Sequence, residues 1–446
     1  MTPARARRAA AIVLAALAGC AGVLASGCGR PHDDPDRLTF WALGGEGEVV
    51  ERLLPEFTAR HPGLRVTVQR IPWSAAHEKL LTAWVGGAMP DVVQVGNTWI
   101  PELVVLGALE PLDDRLDAAA RAAFFPGVLD PNVVDGRTWG VPWYVDTRLV
   151  FYRRDLLAAA GEAEAPRTWD AWRAGMQAVQ ARARPGQHAI LLPLTEWQPL
   201  VILAFGHGAT LLRDGDCRGD FRSPAFRAAL TAWVRLFRDG LAPLGGAALA
   251  ANLYEDFARG DVAFVVTGPW NLGELARRLP PALADAWTTM PMPAVTGAPP
   301  GPSLAGGASL AVVRGTPRAE AAWKLVAFLA EPAQQRRLWE LTGDLPARRE
   351  VWDDAALAGD PRVAAFRTQL EAVRATPKIP EWERIAGKIM QWADTAVRGT
   401  LDVDAATARL DAEVDAILAK RRWLLGDRCT AGTAPAAAAG GGAVPG

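Results

Sequence analysis

Apolar positions in the first part of the chain change period in a fixed order. Leu38-Thr39-Phe40-Trp41 is a short β-prone run. Val49, Val50, Leu53, Leu54 and Phe57 then recur at helical spacing, which predicts a helix stopped by Pro62-Gly63. Leu64, Val66 and Val68 alternate with Arg65, Thr67 and Gln69, the period of a half-buried strand. Strand, helix and strand in that order predict a βαβ unit and therefore a parallel sheet. Asp91 to Val95 reads as another buried strand, and Val262 to Val266 and Ser309 to Val313 are the clearest later ones. Towards the C-terminus the pattern turns helical, with stripes at Ile385, Ile389, Trp392 and Ala396 and at Leu410, Val414 and Ile417. The Pro-rich stretch from Met290 to Pro302 and the segment Gly343-Asp344-Leu345-Pro346 interrupt this alternation as domain crossings or surface loops.

Both ends differ from the body. Arg5, Arg7 and Arg8 precede an apolar run from Ala9 to Ala18, the layout of a secretion signal. Leu17-Ala18-Gly19-Cys20 and Ala25-Ser26-Gly27-Cys28 both resemble bacterial lipobox sites, at which the cysteine is acylated. Cys28 is the expected site because a polar tether, Gly29 to Asp36, follows it; Cys20 is the alternative, and cleavage without a lipid is the simpler reading. Loss of Cys20 with the signal leaves Cys217 and Cys429 available to pair in an oxidising compartment. Residues 431–446 are low-complexity Ala, Gly and Pro, expected to form a disordered tail.

At roughly 150 residues per domain, 446 residues suggest about three units, or two large lobes with appendages. Lys plus Arg total 48 against 49 Asp plus Glu, a balance that argues against a nucleic-acid binder. Eighteen Trp against 3 Tyr suit a core and equally a groove that stacks on flat ligands. Catalytic signatures are missing. Neither Ser303 nor Ser309 completes G-x-S-x-G, and the five histidines make no cluster with zinc spacing, so no metal or cofactor is expected.

Gly44-Gly45-Glu46-Gly47-Glu48 joins a strand to a helix, but its carboxylates would repel phosphate, so a neutral polar ligand suits it better. Asn97 and Thr98 follow the strand at 91–95, at the strand end where open α/β folds bind ligands. In Pro142 to Arg148 an alternating strand would put Tyr144, Asp146 and Arg148 on one face and Trp143 on the other. Gly268-Pro269-Trp270-Asn271 repeats the strand-then-aromatic design, and Trp197 lies in a Pro-flanked irregular segment. Aromatic plates for apolar C–H faces, with carboxylates, amides and Arg for hydroxyls, match a sugar ring.

At this point the sequence resembles the extracellular solute-binding proteins of carbohydrate ABC importers, the group that includes maltose- and trehalose-binding proteins. The resemblance spans about residues 37–425 and rests on phrases in order: Gly86-Gly87-Ala88-Met89-Pro90-Asp91, Gly107-Ala108-Leu109-Glu110-Pro111-Leu112, Gly140-Val141-Pro142-Trp143-Tyr144, Thr168-Trp169-Asp170-Ala171-Trp172, Phe257-Ala258-Arg259-Gly260-Asp261, Thr267-Gly268-Pro269-Trp270, Gly306-Gly307-Ala308-Ser309 and Leu345-Pro346-Ala347-Arg348. It implies an α/β, two-lobed periplasmic-binding-protein fold (type II) with a hinge of several crossing segments near 145, 290–300 and 343–347. The implied division is 1–28 signal and anchor, 29–36 tether, 37–145 plus 298–342 first lobe, 146–297 plus 343–425 second lobe, and 426–446 tail. The implied ligand-binding residues are Glu46, Asn97, Thr98, Trp143, Tyr144, Asp146, Trp197, Trp270, Gly306, Gly307 and Arg348, the two glycines letting backbone approach the ligand. The implied protein is a lipid-anchored monomer that captures a mono- or oligosaccharide outside the inner membrane and delivers it to permease subunits. A secreted glycoside hydrolase, or a same-fold receptor for another solute, is the alternative.

Overall fold

The structure is a computed structural model that describes residues 36–162, 164–245 and 251–429. The expected signal, both lipobox cysteines and the tether up to its last residue fall outside the described residues, as do residues 430–446.

Two main sheets carry the fold. Their strands, in chain order, are β1 (Arg37–Leu43), β2 (Arg65–Ile71), β3 (Val92–Gly96), β4 (Val141–Val145), β5 (Leu149–Arg153), β6 (His188–Leu191), β7 (Val262–Thr267), β8 (Trp287–Met290), β9 (Gly307–Val312) and β10 (Leu345–Pro346). The first sheet runs β10-β4-β9-β3-β1-β2, and the second β8-β5-β7-β6. β1 is parallel to β2 and β3, as the βαβ pattern requires, while β9 returns antiparallel beside β3. In the second sheet β6 and β7 are parallel and β5 and β8 antiparallel to their neighbours.

The single helix expected around 49–57 is split. α1 (Glu46–Val49) passes through a 3-10 turn at Val50–Arg52 into α2 (Leu54–Arg60). Pro55 sits in the first turn of α2, where a missing N–H leaves no hydrogen bond unmade. Phe57 is fully buried, so the apolar stripe holds although the helix axis is interrupted.

The chain passes between the sheets at Asp146–Arg148, joining β4 to β5, and again between β8 and β9. The two passages are stitched together: Asp146 N–H donates to the Gly306 carbonyl at 3.1 Å, and Thr147 Oγ1 to the Leu304 carbonyl at 3.1 Å. A third passage lies later than the expected 343–347. Leu345 and Pro346 pair with Val145 and Tyr144, so the chain is still in the first sheet there. It reaches the second only with the helix Pro361–Leu370, where the Arg362 carbonyl accepts from Thr289 of β8. One apolar core lies around the second sheet and the C-terminal helices; another runs from the first sheet through Phe151 and Trp287 of the second. Cys217 and Cys429 form a disulfide with Cα atoms 5.6 Å apart, joining positions 212 residues apart. The expected tail therefore starts too early at 426: Gly426–Cys429 form a 3-10 turn, and Cys429 is buried by its bond to Cys217.

Candidate ligand-binding cleft

Between the two sheets lies a cleft of about 500 Å³. It sits where the topology directs ligands, off the C-terminal ends of parallel strands. The loop after β1 supplies Glu46, α3 (Trp73–Val85) after β2 supplies Trp73, and the turn after β3 supplies Asn97, Thr98 and Trp99. From the second sheet, Trp197 and Gln198 come at the start of α4 (Gln198–Gly206) after β6, and Trp270 at the start of α5 (Trp270–Arg278) after β7. The crossings add Tyr144, Asp146, Arg148, Gly306 and Gly307; Asp344 and, from α6 (Trp382–Val397), Glu383 complete the polar lining.

A directed hydrogen-bond chain builds the floor. Leu43 N–H donates to Gln94 Oε1 at 2.7 Å, Gln94 Nε2 to the Tyr144 hydroxyl at 3.1 Å, and that hydroxyl to Glu46 Oε1 at 2.7 Å. It spans β1, β3 and β4 and ends on the loop after β1, so one sheet fixes the Glu46 carboxylate. Gly44 makes this possible. Its φ of +59° suits glycine, and a Cβ there would lie 2.5 Å from the Trp73 ring. Gly268 likewise vacates the space of the Trp270 ring, which a Cβ would meet at 1.8 Å.

The floor is acidic and buried. Burial pushes the Glu46 carboxyl upward despite hydrogen bonds from its own backbone, Tyr144 and Trp73. Burial pushes Asp146 to about 7, opposed by Arg148 and reinforced by Glu196 and Glu46. Asp344 lies well above the usual carboxylate range, from burial first and then the Glu46 charge, and burial also raises Glu383. Arg148 is held by an ion pair to Glu196 and lies 5.3 Å from the Trp270 ring centroid. Thr98 Oγ1 donates to Glu383 Oε1 at 2.6 Å, a contact across the mouth between the two sides.

Nine of the eleven expected positions line this cleft: Glu46, Asn97, Thr98, Tyr144, Asp146, Trp197, Trp270, Gly306 and Gly307. Trp143 does not. It is fully buried on the opposite face of β4, edge-on to Phe40 at 6.2 Å, as strand alternation dictates. Arg348 is also elsewhere, donating to the Ala330 carbonyl and lying over Phe124, because β10 leads it past the edge of the first sheet. Gly306 and Gly307 have a different reason for being glycine. A Cβ at Gly306 would lie 2.3 Å from the Asp146 carbonyl oxygen and one at Gly307 2.6 Å from that of Tyr144, so strand-to-strand approach requires them. Trp73, Trp99, Gln198, Asp344, Thr376 and Glu383 were missed. Trp73 and Trp99 repeat the strand-then-aromatic design and could have been found by it; Glu383 sits on a helix with no local signal.

Residues 41–336 match the bacterial extracellular solute-binding protein family, and the chain belongs to it. The sugar-binding protein MalE from Xanthomonas citri is 43% identical, with a TM-score of 0.81 over 87% of this chain and 99% of that one. The diacetylchitobiose-binding protein DasA of Streptomyces coelicolor is 25% identical, covering 88% of this chain and 96% of the relative. The galactooligosaccharide-binding protein of Bacillus subtilis is 23% identical, covering 84% and 87%. The fold is thus the two-lobed α/β architecture of periplasmic binding proteins, type II, in a family that works outside the cytoplasm.

Proposed function

We propose that the protein captures a mono- or oligosaccharide by closing two lobes on it and delivers it unaltered to an ABC permease. The observation that carries this reading is the cleft itself. Both sheets aim the C-terminal ends of their parallel strands into it, and it combines the indoles of Trp73, Trp99, Trp197 and Trp270 with carboxylates, two amides and an Arg. Indoles cover C–H faces of a sugar ring, and charged groups make the stronger hydrogen bonds to its hydroxyls. The ligand-binding set is Glu46, Asn97, Thr98, Tyr144, Asp146, Trp197, Trp270, Gly306 and Gly307, with Trp73, Trp99 and Arg148 added. The division into lobes follows the sheets, the first lobe extending through Pro346. A ligand touching both lobes favours the closed form and shifts the population towards it.

In this reading the receptor is a non-enzymatic monomer, tethered in the periplasm by acylation of Cys28, or of Cys20. The names of the relatives and the lipobox-like sequences support it. A titration of Trp fluorescence and thermal stability against a sugar panel tests it: at least one sugar gives a saturable change and raises the melting temperature. No response from any sugar overturns the proposal, and sustained release of reducing sugar moves it to a hydrolase.

A further inference from the structure

We infer that the cleft is built for a glycan carrying a protonated amine, an inference that rests on sugar capture by this same site. Hydroxyls both donate and accept, so a neutral sugar needs a site offering both; an ammonium group only donates. Three of the side-chain donors in this cleft are already engaged within the protein. Asn97 Nδ2 donates to the Ala305 carbonyl, Tyr144 to Glu46, and Thr98 to Glu383. Arg148 uses Nη1 on Glu196. Two acceptors, Asp146 Oδ1 and Gln198 Oε1, are buried without a partner.

Charge points the same way. Glu46, Asp146, Asp344 and Glu383 line the cleft against the single cation Arg148. Glu46, Asp146 and Asp344 lie close enough to disfavour one another's ionisation. Behind Trp99, His77 is held by Glu102 at 2.7 Å and its ring packs 5.2 Å from that of Trp99. Such a group of acids is balanced by protons or by a bound cation. A metal ion does not fit: among the described residues no three of His, Cys, Asp or Glu are grouped to hold one. Carboxylates spread along an aromatic-walled cleft suit an organic cation, which gains from both.

The two ligand classes differ in their link to protons. An ammonium group favours ionised carboxylates, so its binding expels protons and tightens as the pH rises, up to the amine's own pKa of roughly 8, above which the ligand is neutral. A neutral sugar uses protonated carboxyls as donors, so its binding weakens over the same range.

Titration calorimetry on the full chain at about pH 5.5 and about pH 7, where the amines stay protonated, separates them, using matched pairs: trehalose against trehalosamine, and cellobiose against the glucosamine disaccharide. The amine of at least one pair is expected to bind about tenfold tighter at about pH 7 than its neutral parent, with proton release read from buffer-dependent heats. Asp146→Asn should shrink that gap below about threefold, because it replaces an ionisable carboxylate by a neutral amide of the same shape. If neutral parents bind as tightly as or more tightly than their amines at both pH values, the inference is overturned while sugar capture stands. If a full gap persists in Asp146→Asn, the assignment to the acidic floor is overturned. Absence of heat and of thermal shift with all four sugars overturns capture and this inference together.

Discussion

The two sides of the cleft share a geometry and differ in how they hold their side chains. On the first-sheet side, the polar groups are fixed through the sheet itself, in the run from Leu43 through Gln94 and Tyr144 to Glu46. On the second-sheet side, indoles stand at helix starts and are braced by rings and charge: Trp197 packs edge-on against Trp382 at 5.2 Å, and Trp270 lies beneath Arg148. The first side is preorganised, its polar groups held by the sheet. The second adds Trp197 and Trp270 to the indoles Trp73 and Trp99 of the first, and meets it in contacts such as Thr98 to Glu383 and Lys378 to Asp130 at 2.9 Å.

Substitutions can break that contrast in graded fashion. The largest effect belongs to an indole outside the cleft: Trp143→Ala should cost about 3–5 kcal/mol of stability in urea unfolding, through the cavity it leaves in the first-sheet core. Trp270→Ala should leave stability nearly unchanged and weaken sugar binding by about 2–4 kcal/mol in calorimetry, as loss of a cleft anchor does. Tyr144→Phe should lower both stability and affinity by about 1–3 kcal/mol, since Gln94 Nε2 and Glu46 Oε1 lose their shared partner. Thr98→Val removes one contact between the sides and should weaken binding by about 0.5–1.5 kcal/mol, read in the same titration.

The gentlest probe is pH. The folded chain holds the Asp146 proton up to about 7 against an ordinary 3.8. Its stabilising contribution is therefore full below the ordinary value and is lost as the pH rises through the folded one, as the unfolded chain gives up that proton more readily. Unliganded wild type should lose stability over that window, and Asp146→Asn should flatten the slope in thermal unfolding.

Much of this was legible locally. Period changes gave the parallel strands, and polar or aromatic tips at their ends gave Glu46, Asn97, Thr98 and Trp270. Alternation within Pro142 to Arg148 already set Trp143 apart from Tyr144 and Asp146, and the structure obeys alternation rather than the family analogy that placed Trp143 with the ligand. What stayed hidden depends on distant pairing. Glu383 reaches Thr98 across 285 positions, and Leu345–Pro346 joins the first sheet only because β4 offers an edge. Gly306 and Gly307 looked like room for a ligand and prove to be room for the neighbouring strand.

Native mass spectrometry of the protein mixed with a sugar panel tests the central claim most directly, since one spectrum reports both capture and the fate of the sugar. The expected result is a one-to-one complex whose added mass equals an intact sugar, lost in Trp270→Ala. Bare protein across the whole panel, or added masses of cleaved products, would contradict the account.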